Sequence, residues 1–116
     1  MNRHVAEQRG RRAEKLAAWW LRLHGWRILA TRARVHGGEV DLVARRWRTL
    51  AFIEVKARST DAGAAMALDR SRLRRVAVAA ERLTPRFRGQ CNTVRIDAIY
   101  VLPGRLPRHV PDVWNG

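Results

Sequence analysis

The segment TLAFIEVKAR, residues 49–58, constrains the fold of this chain more than any other. Its branched and aromatic residues suit a pleated, buried surface. Yet Glu54 stands between Ile53 and Val55, with Lys56 one step beyond. Side chains alternate faces along a strand, so Leu50, Phe52, Glu54 and Lys56 share one side. An unpaired carboxylate in such a run is costly. Lys56, a metal ion, or both together would compensate it.

The neighbouring segments give this strand its setting. Ala13, Leu16, Ala17, Trp20 and Leu23 recur at helical spacing between about Ala6 and His24, and Gly25 is a natural stop. A strand follows from Trp26, and Gly37 and Gly38 supply the turn into EVDLVARR. After TLAFIEVKAR, the run STDAGA marks a loop. A second helix spans about Ala64 to Leu83, with Leu73, Val76, Ala77, Ala80 and Leu83 on its core face and arginines elsewhere. NTVRIDAIYVL is the last strand, and three prolines keep residues 103–116 extended. The order is helix, three strands, helix, strand: an α/β chain with a small mixed sheet flanked by helices. The first three strands would be antiparallel neighbours and the last would join in parallel by a crossover. Residues 1–116 read as one domain.

Charge narrows the partner. The chain has 22 arginines but only two lysines, and a formal net charge of +14. Such an excess predicts a polyanion, nucleic acid first, because arginine forks fit phosphate oxygens and binding releases counterions. No segment has the length or apolarity of a spanning helix, which argues against a membrane. A single cysteine, Cys91, fits a reducing cytoplasm and reads as a small, partly buried residue. His4, His24, His36 and His109 have no ligand-like spacing, which argues against zinc.

Against that background the acids stand out. Glu39 and Asp41 share one side of their strand, and Glu54 lies thirteen positions beyond Asp41 on the next. Two carboxylates held close repel, and a divalent cation turns that repulsion into ligation. Magnesium, or manganese in its place, keeps several waters and bridges one or two carboxylates to a substrate phosphate. Asp41 and Glu54, together with Val55 beside them, are the candidate metal-binding positions. Lys56 would orient or deprotonate the attacking water, or neutralise charge developing on phosphorus. A compact lysine in a chain that otherwise uses arginine suits that task. The plainer reading of E-x-K is a salt pair on a strand face.

These motifs also carry a resemblance. Asp41 followed by Glu54-Val55-Lys56 on adjacent strands, behind a helix bearing an acid, is similar to the PD-(D/E)XK nuclease superfamily of restriction endonucleases and archaeal Holliday junction resolvases. RGRRAEKLAAWWLRLHGWRIL, GEVDLVAR, FIEVKAR, VRIDAIYV and the ending RHVPDVW resemble, in order, the segments of the bacterial YraN family. The resemblance implies a restriction-endonuclease-like αβββαβ core and a Mg²⁺-dependent endonuclease acting on DNA, RNA being the less favoured substrate. Branched or repair intermediates are the substrates it suggests. Cutting both strands would favour a homodimer. By position it implies Asp41 and Glu54 as metal-binding acids, Lys56 as the lysine, and Glu14 and Glu39 as further acids. Glu14 could equally pair with Arg11 or Arg12, and Glu39 with Arg34. Two departures are visible. Arg70 and Arg72 stand where that family opens its second helix with a lysine-containing segment, and Arg32 stands where it often has asparagine.

Arg34, Arg58, Arg70 and Arg74 are the candidate phosphate contacts, Arg58 lying two beyond Lys56. Asp97 reads as a structural partner for an arginine. Trp19, Trp20 and Trp26 read as core or edge packing, and Trp47, in the turn RRWRT, as a place for a base or sugar contact. Two other functions fit the charge: a nucleic-acid-binding module without catalysis, and a small ribosomal-type RNA-binding protein. The ribosomal reading leaves the acidic cluster unexplained.

Overall fold

In the computed structural model, which describes residues 3–58 and 70–114 and side chains from residue 10 onward, the apolar segment is the central strand of a five-stranded sheet. The elements are α1 (Arg3–Leu23), β1 (Arg27–Val35), β2 (Gly38–Arg46), β3 (Thr49–Ala57), α2 (Arg70–Phe87), β4 (Thr93–Val101) and β5 (Arg108–Val110). The sheet order is β1-β2-β3-β4-β5. β1, β2 and β3 pair antiparallel through short turns, and β4 joins β3 in parallel, as a helical crossover requires. The STDAGA loop and the expected first turns of the second helix lie outside the described residues.

Each helix covers one face. Ala17, Ala18 and Leu21 of α1 pack on Leu42, Ala44, Ala51, Ile53 and Ile99. Leu73, Val76, Ala79, Ala80 and Leu83 of α2 pack on Val43, Leu50, Phe52 and Ile96. The α2 stripe is close to the expected one, with Ala79 in place of the half-buried Ala77. The α1 stripe is rotated from expectation. Ala13, Ala17, Ala18 and Leu21 are buried, whereas Leu16 and Leu23 are exposed. Ala13, Ala17 and Ala18 let the helix axis come close to the sheet, and Leu21 is the one large side chain of that face, packed into the core beside them. Trp19 is likewise exposed and packs at the edge, its ring centroid 6.4 Å from that of Trp20.

Local chemistry sets the junctions. Gly25 has φ of 85°, the Trp26 amide donates to the Leu21 carbonyl and the Gly25 amide to that of Arg22. This is a Schellman end, completed by the contact of Trp26 with Leu21. The turn between β1 and β2 is formed by His36 and Gly37, with Val35 paired to Gly38. Gly38 serves a different need from the turn. A Cβ there would stand 2.5 Å from the Arg75 carbonyl oxygen, so α2 can approach β2 only over a glycine.

The tail is anchored. β5 pairs antiparallel with β4, His109 opposite Ile99. Asp97 is fully buried and accepts from Arg95 Nε at 3.0 Å and from the Asp112 amide at 2.9 Å, with His109 Nε2 2.7 Å away. Burial alone would push this carboxyl up, but hydrogen bonds from His109, the Asp112 amide and Arg95 outweigh it and hold it below the usual carboxylate range. Asp97 thus partners an arginine, as expected, and also fastens the C-terminal segment. No helix among the described residues is long and apolar enough to cross a membrane.

Candidate active site

The centre of interest lies where β2 and β3 part. Their pairing runs from Arg46/Thr49 to Leu42/Ile53 and goes no further. At the next step the side chain of Asp41 fills the gap, its Oδ2 accepting the Val55 amide at 2.7 Å. A carboxylate therefore takes the place of a backbone ladder bond, and its position is fixed by a strand rather than a loop.

Three other carboxylates surround it. Glu54 is 2% exposed and Lys56 6% exposed, and Lys56 Nζ stands 3.3 Å from Glu54 Oε1. Arg72, from the start of α2, donates to the same oxygen at 3.1 Å. Glu14 reaches from α1 and is gripped by Arg32 through two hydrogen bonds, at 2.8 and 3.4 Å. Glu39 stands 3.8 Å from both Arg34 and Arg75. Glu14, Glu39, Asp41, Arg32, Arg34 and Arg72 are among the residues lining a cavity of ≈ 350 Å³.

Asp41 is the exception among these acids. Glu14, Glu39 and Glu54 each have an arginine or lysine partner, but among the described residues Asp41 pairs with no cationic side chain. Burial, followed by the negative charge of Glu54, pushes its carboxyl up to about 7, against the opposing hydrogen bond from Val55. The charge of Glu14 adds to the rise and that of Arg72 opposes it. A partly buried carboxyl with no cationic side chain in contact among the described residues, facing two more carboxylates, suits a divalent ion. No three His, Cys, Asp or Glu side chains among the described residues form a ready ligand set. An ion here would rest on Asp41 and Glu54 and complete its shell with other oxygens, which is how Mg²⁺ commonly binds.

The fold and sequence have clear relatives. The profile of "Uncharacterised protein family UPF0102" matches residues 13–101. The chain belongs to the UPF0102 (YraN) family. A UPF0102 protein of Sphingopyxis alaskensis is 61% identical over 115 residues, covering 99% of both chains. One of Rhizorhabdus wittichii is 57% identical over 117 residues, covering 100% of this chain and 99% of its own. Among solved structures, Archaeoglobus fulgidus Hjc, a Holliday junction resolvase from an archaeal hyperthermophile, superposes with a TM-score of 0.60 at 21% identity, over 86% of this chain and 73% of that one. The restriction-endonuclease-like mixed α/β fold expected from the motifs is therefore the fold of this UPF0102 protein.

The expected site residues divide into two groups. Asp41, Glu54, Lys56, Glu14, Glu39 and Arg34 stand around the parting of β2 and β3, and Val55 takes part through its amide. Glu14 pairs with Arg32, neither of the two partners considered from sequence. Glu39 adopts the arginine-paired alternative. Arg58 does not accompany Lys56: β3 ends at Ala57, and Arg58 turns its guanidinium onto the Ala57 carbonyl and lines a separate cavity with Arg12 and Leu16. Arg70 lies over the Trp114 ring at 4.8 Å, and Arg74 is exposed on α2. Two residues were missed as parts of the site, Arg32 and Arg72. Both were visible as departures from the resembled family, in places that family fills with asparagine and with a lysine-containing segment. Arg32 has φ of 51°, a left-handed conformation that asparagine adopts readily, and here its side chain also holds Glu14.

Proposed function

We propose that this UPF0102 protein is a divalent-metal-dependent endonuclease that hydrolyses phosphodiester bonds in DNA, with branched or recombination-type DNA as its substrate. The observation that carries the reading is the uncountered carboxyl of Asp41 beside Glu54 and Lys56, on a fold shared with a Holliday junction resolvase. Asp41 and Glu54, with Val55, would hold Mg²⁺ or Mn²⁺. Such an ion, when bound, polarises a phosphoryl oxygen and lowers the pKa of water. Lys56 is aimed by its contact with Glu54 and would supply positive charge where negative charge develops on the phosphoryl oxygens. Arg72 fixes the Glu54 carboxylate from the opposite element. Arg74 is exposed and would take a backbone phosphate, and the exposed Arg34 would do so by exchanging its 3.8 Å contact with Glu39 for one.

The test is incubation of the purified protein with linear, flapped and four-way DNA and with RNA, in Mg²⁺, Mn²⁺ or EDTA. Cleavage is expected with either metal, strongest on branched DNA, and absent in EDTA. Lys56→Ala should lower the cleavage rate at least about 100-fold, the scale of one transition-state donor, while binding in EDTA changes little. Cleavage that survives in Lys56→Ala at the wild-type rate would sink the assignment. Binding with no cleavage by the wild type under any condition would leave a nucleic-acid-binding module instead.

A further inference from the structure

The opposite end of the β2–β3 hairpin carries a second feature. Trp47 opens the two-residue turn between Arg46 and Thr49, is 92% exposed, and has φ of 56°. Turns that need positive φ favour glycine, asparagine or aspartate, and a bulky aromatic there is strained. The strain is not offset by packing, because the Trp47 ring makes no ring contact with any described residue. Around it Arg27, Arg45 and Arg48 line a cleft of ≈ 580 Å³ that includes no carboxylate. None of the three pairs with an acid among the described residues. The turn is also held in place: the Asn92 and Thr93 amides both donate to the Arg48 carbonyl, at 2.9 and 3.1 Å. Arg45 lies against Gly89, where a Cβ would come within 3.7 Å of its Nη1.

We infer that the β2–β3 turn is a binding site for single-stranded DNA, in which the Trp47 indole stacks on an unpaired base and Arg27, Arg45 and Arg48 hold the flanking phosphates. A free indole face needs a free base face, and a duplex hides its base faces except at its ends. Aromatic stacking beside a positively charged groove is the general means of gripping unpaired strands. The site lies about 20 Å from Asp41, six residues along an extended strand. It would hold a displaced strand while a duplex arm lies at the acidic end.

The experiment is fluorescence anisotropy with an end-labelled 20-nucleotide DNA strand and with its duplex, in EDTA, so that neither metal nor cleavage enters. Trp47→Ala should weaken strand binding about tenfold, the scale of one lost stacking contact, with duplex affinity changed less than twofold. Trp47→Phe should stay within about threefold of the wild type. Arg45→Gln with Arg48→Gln should flatten the salt dependence of strand binding by roughly one ion per arginine. Strand affinity of Trp47→Ala within twofold of the wild type would overturn the inference, as would equal losses on strand and duplex. So would lost affinity for phosphatidylserine vesicles with strand binding intact, which would assign the turn to lipid.

Discussion

The two ends of the β2–β3 hairpin use the same arginine-rich composition in opposite ways. At the Asp41 end, Arg32, Arg34, Arg72 and Arg75 are drawn onto Glu14, Glu39 and Glu54. At the Trp47 end, Arg27, Arg45 and Arg48 have no acidic partner among the described residues. The formal charge of +14 is therefore not a uniform coat. One end presents a single uncompensated carboxyl within a neutralised network, a setting for a cation. The other presents uncompensated guanidinium groups around a bare indole, a setting for phosphate and base.

The largest test of this contrast is Glu54→Ala. It should destabilise the fold by roughly 3 kcal/mol, because Lys56 would be left buried without its partner. Urea unfolding reads this directly, and a loss below about 1 kcal/mol would mean that the buried pair is not what orders this end.

Asp41→Asn should act in the other direction. Its folded-state carboxyl sits near 7, above the ordinary 3.8, so the group favours folding below about pH 4 and that contribution is lost as pH rises through 7. The asparagine variant should match the wild type at pH 4 and exceed it by about 2 kcal/mol at pH 8, half of the ~4 kcal/mol that the full displacement from 3.8 to about 7 allows, because water at the part-exposed carboxyl relaxes the burial cost. Added Mg²⁺ should close the gap by stabilising only the wild type. A variant less stable than the wild type at pH 8 in EDTA would contradict the charge reading. The smallest effect is at the turn. Trp47→Gly should raise stability by about 1 kcal/mol by relieving the positive φ, and an unchanged or lower melting temperature would remove the argument from strain.

Much of this was readable from the residues. The alternation in TLAFIEVKAR placed Glu54 and Lys56 on one face, and the element order forced the parallel β3–β4 pair. Other features depend on contacts that span the chain and leave no local pattern. Arg32 reaches Glu14 across eighteen positions, and although it stands out as a departure from the resembled family, nothing near it points to that partner. His109 meets Asp97 only because the tail folds back as β5, so its missing ligand spacing said nothing of its role. The α1 stripe misled because Ala13, Leu16, Ala17, Trp20 and Leu23 fit helical spacing as well as the buried set Ala13, Ala17, Ala18 and Leu21 does, so spacing alone did not choose the face. Gly38 likewise looked like half of a turn, since sequence does not reveal that α2 passes against it.

Asp41, whose carboxyl pairs with no cationic side chain among the described residues, is the proposed cation site. Titration of Mn²⁺ into the wild type and Asp41→Asn, followed by the loss of the free-ion electron paramagnetic resonance signal, tests it without reference to any substrate. One Mn²⁺ per chain on the wild type, displaced by excess Mg²⁺ and absent in Asp41→Asn, is the predicted result. Equal Mn²⁺ binding by the two proteins, or none by the wild type, would contradict it.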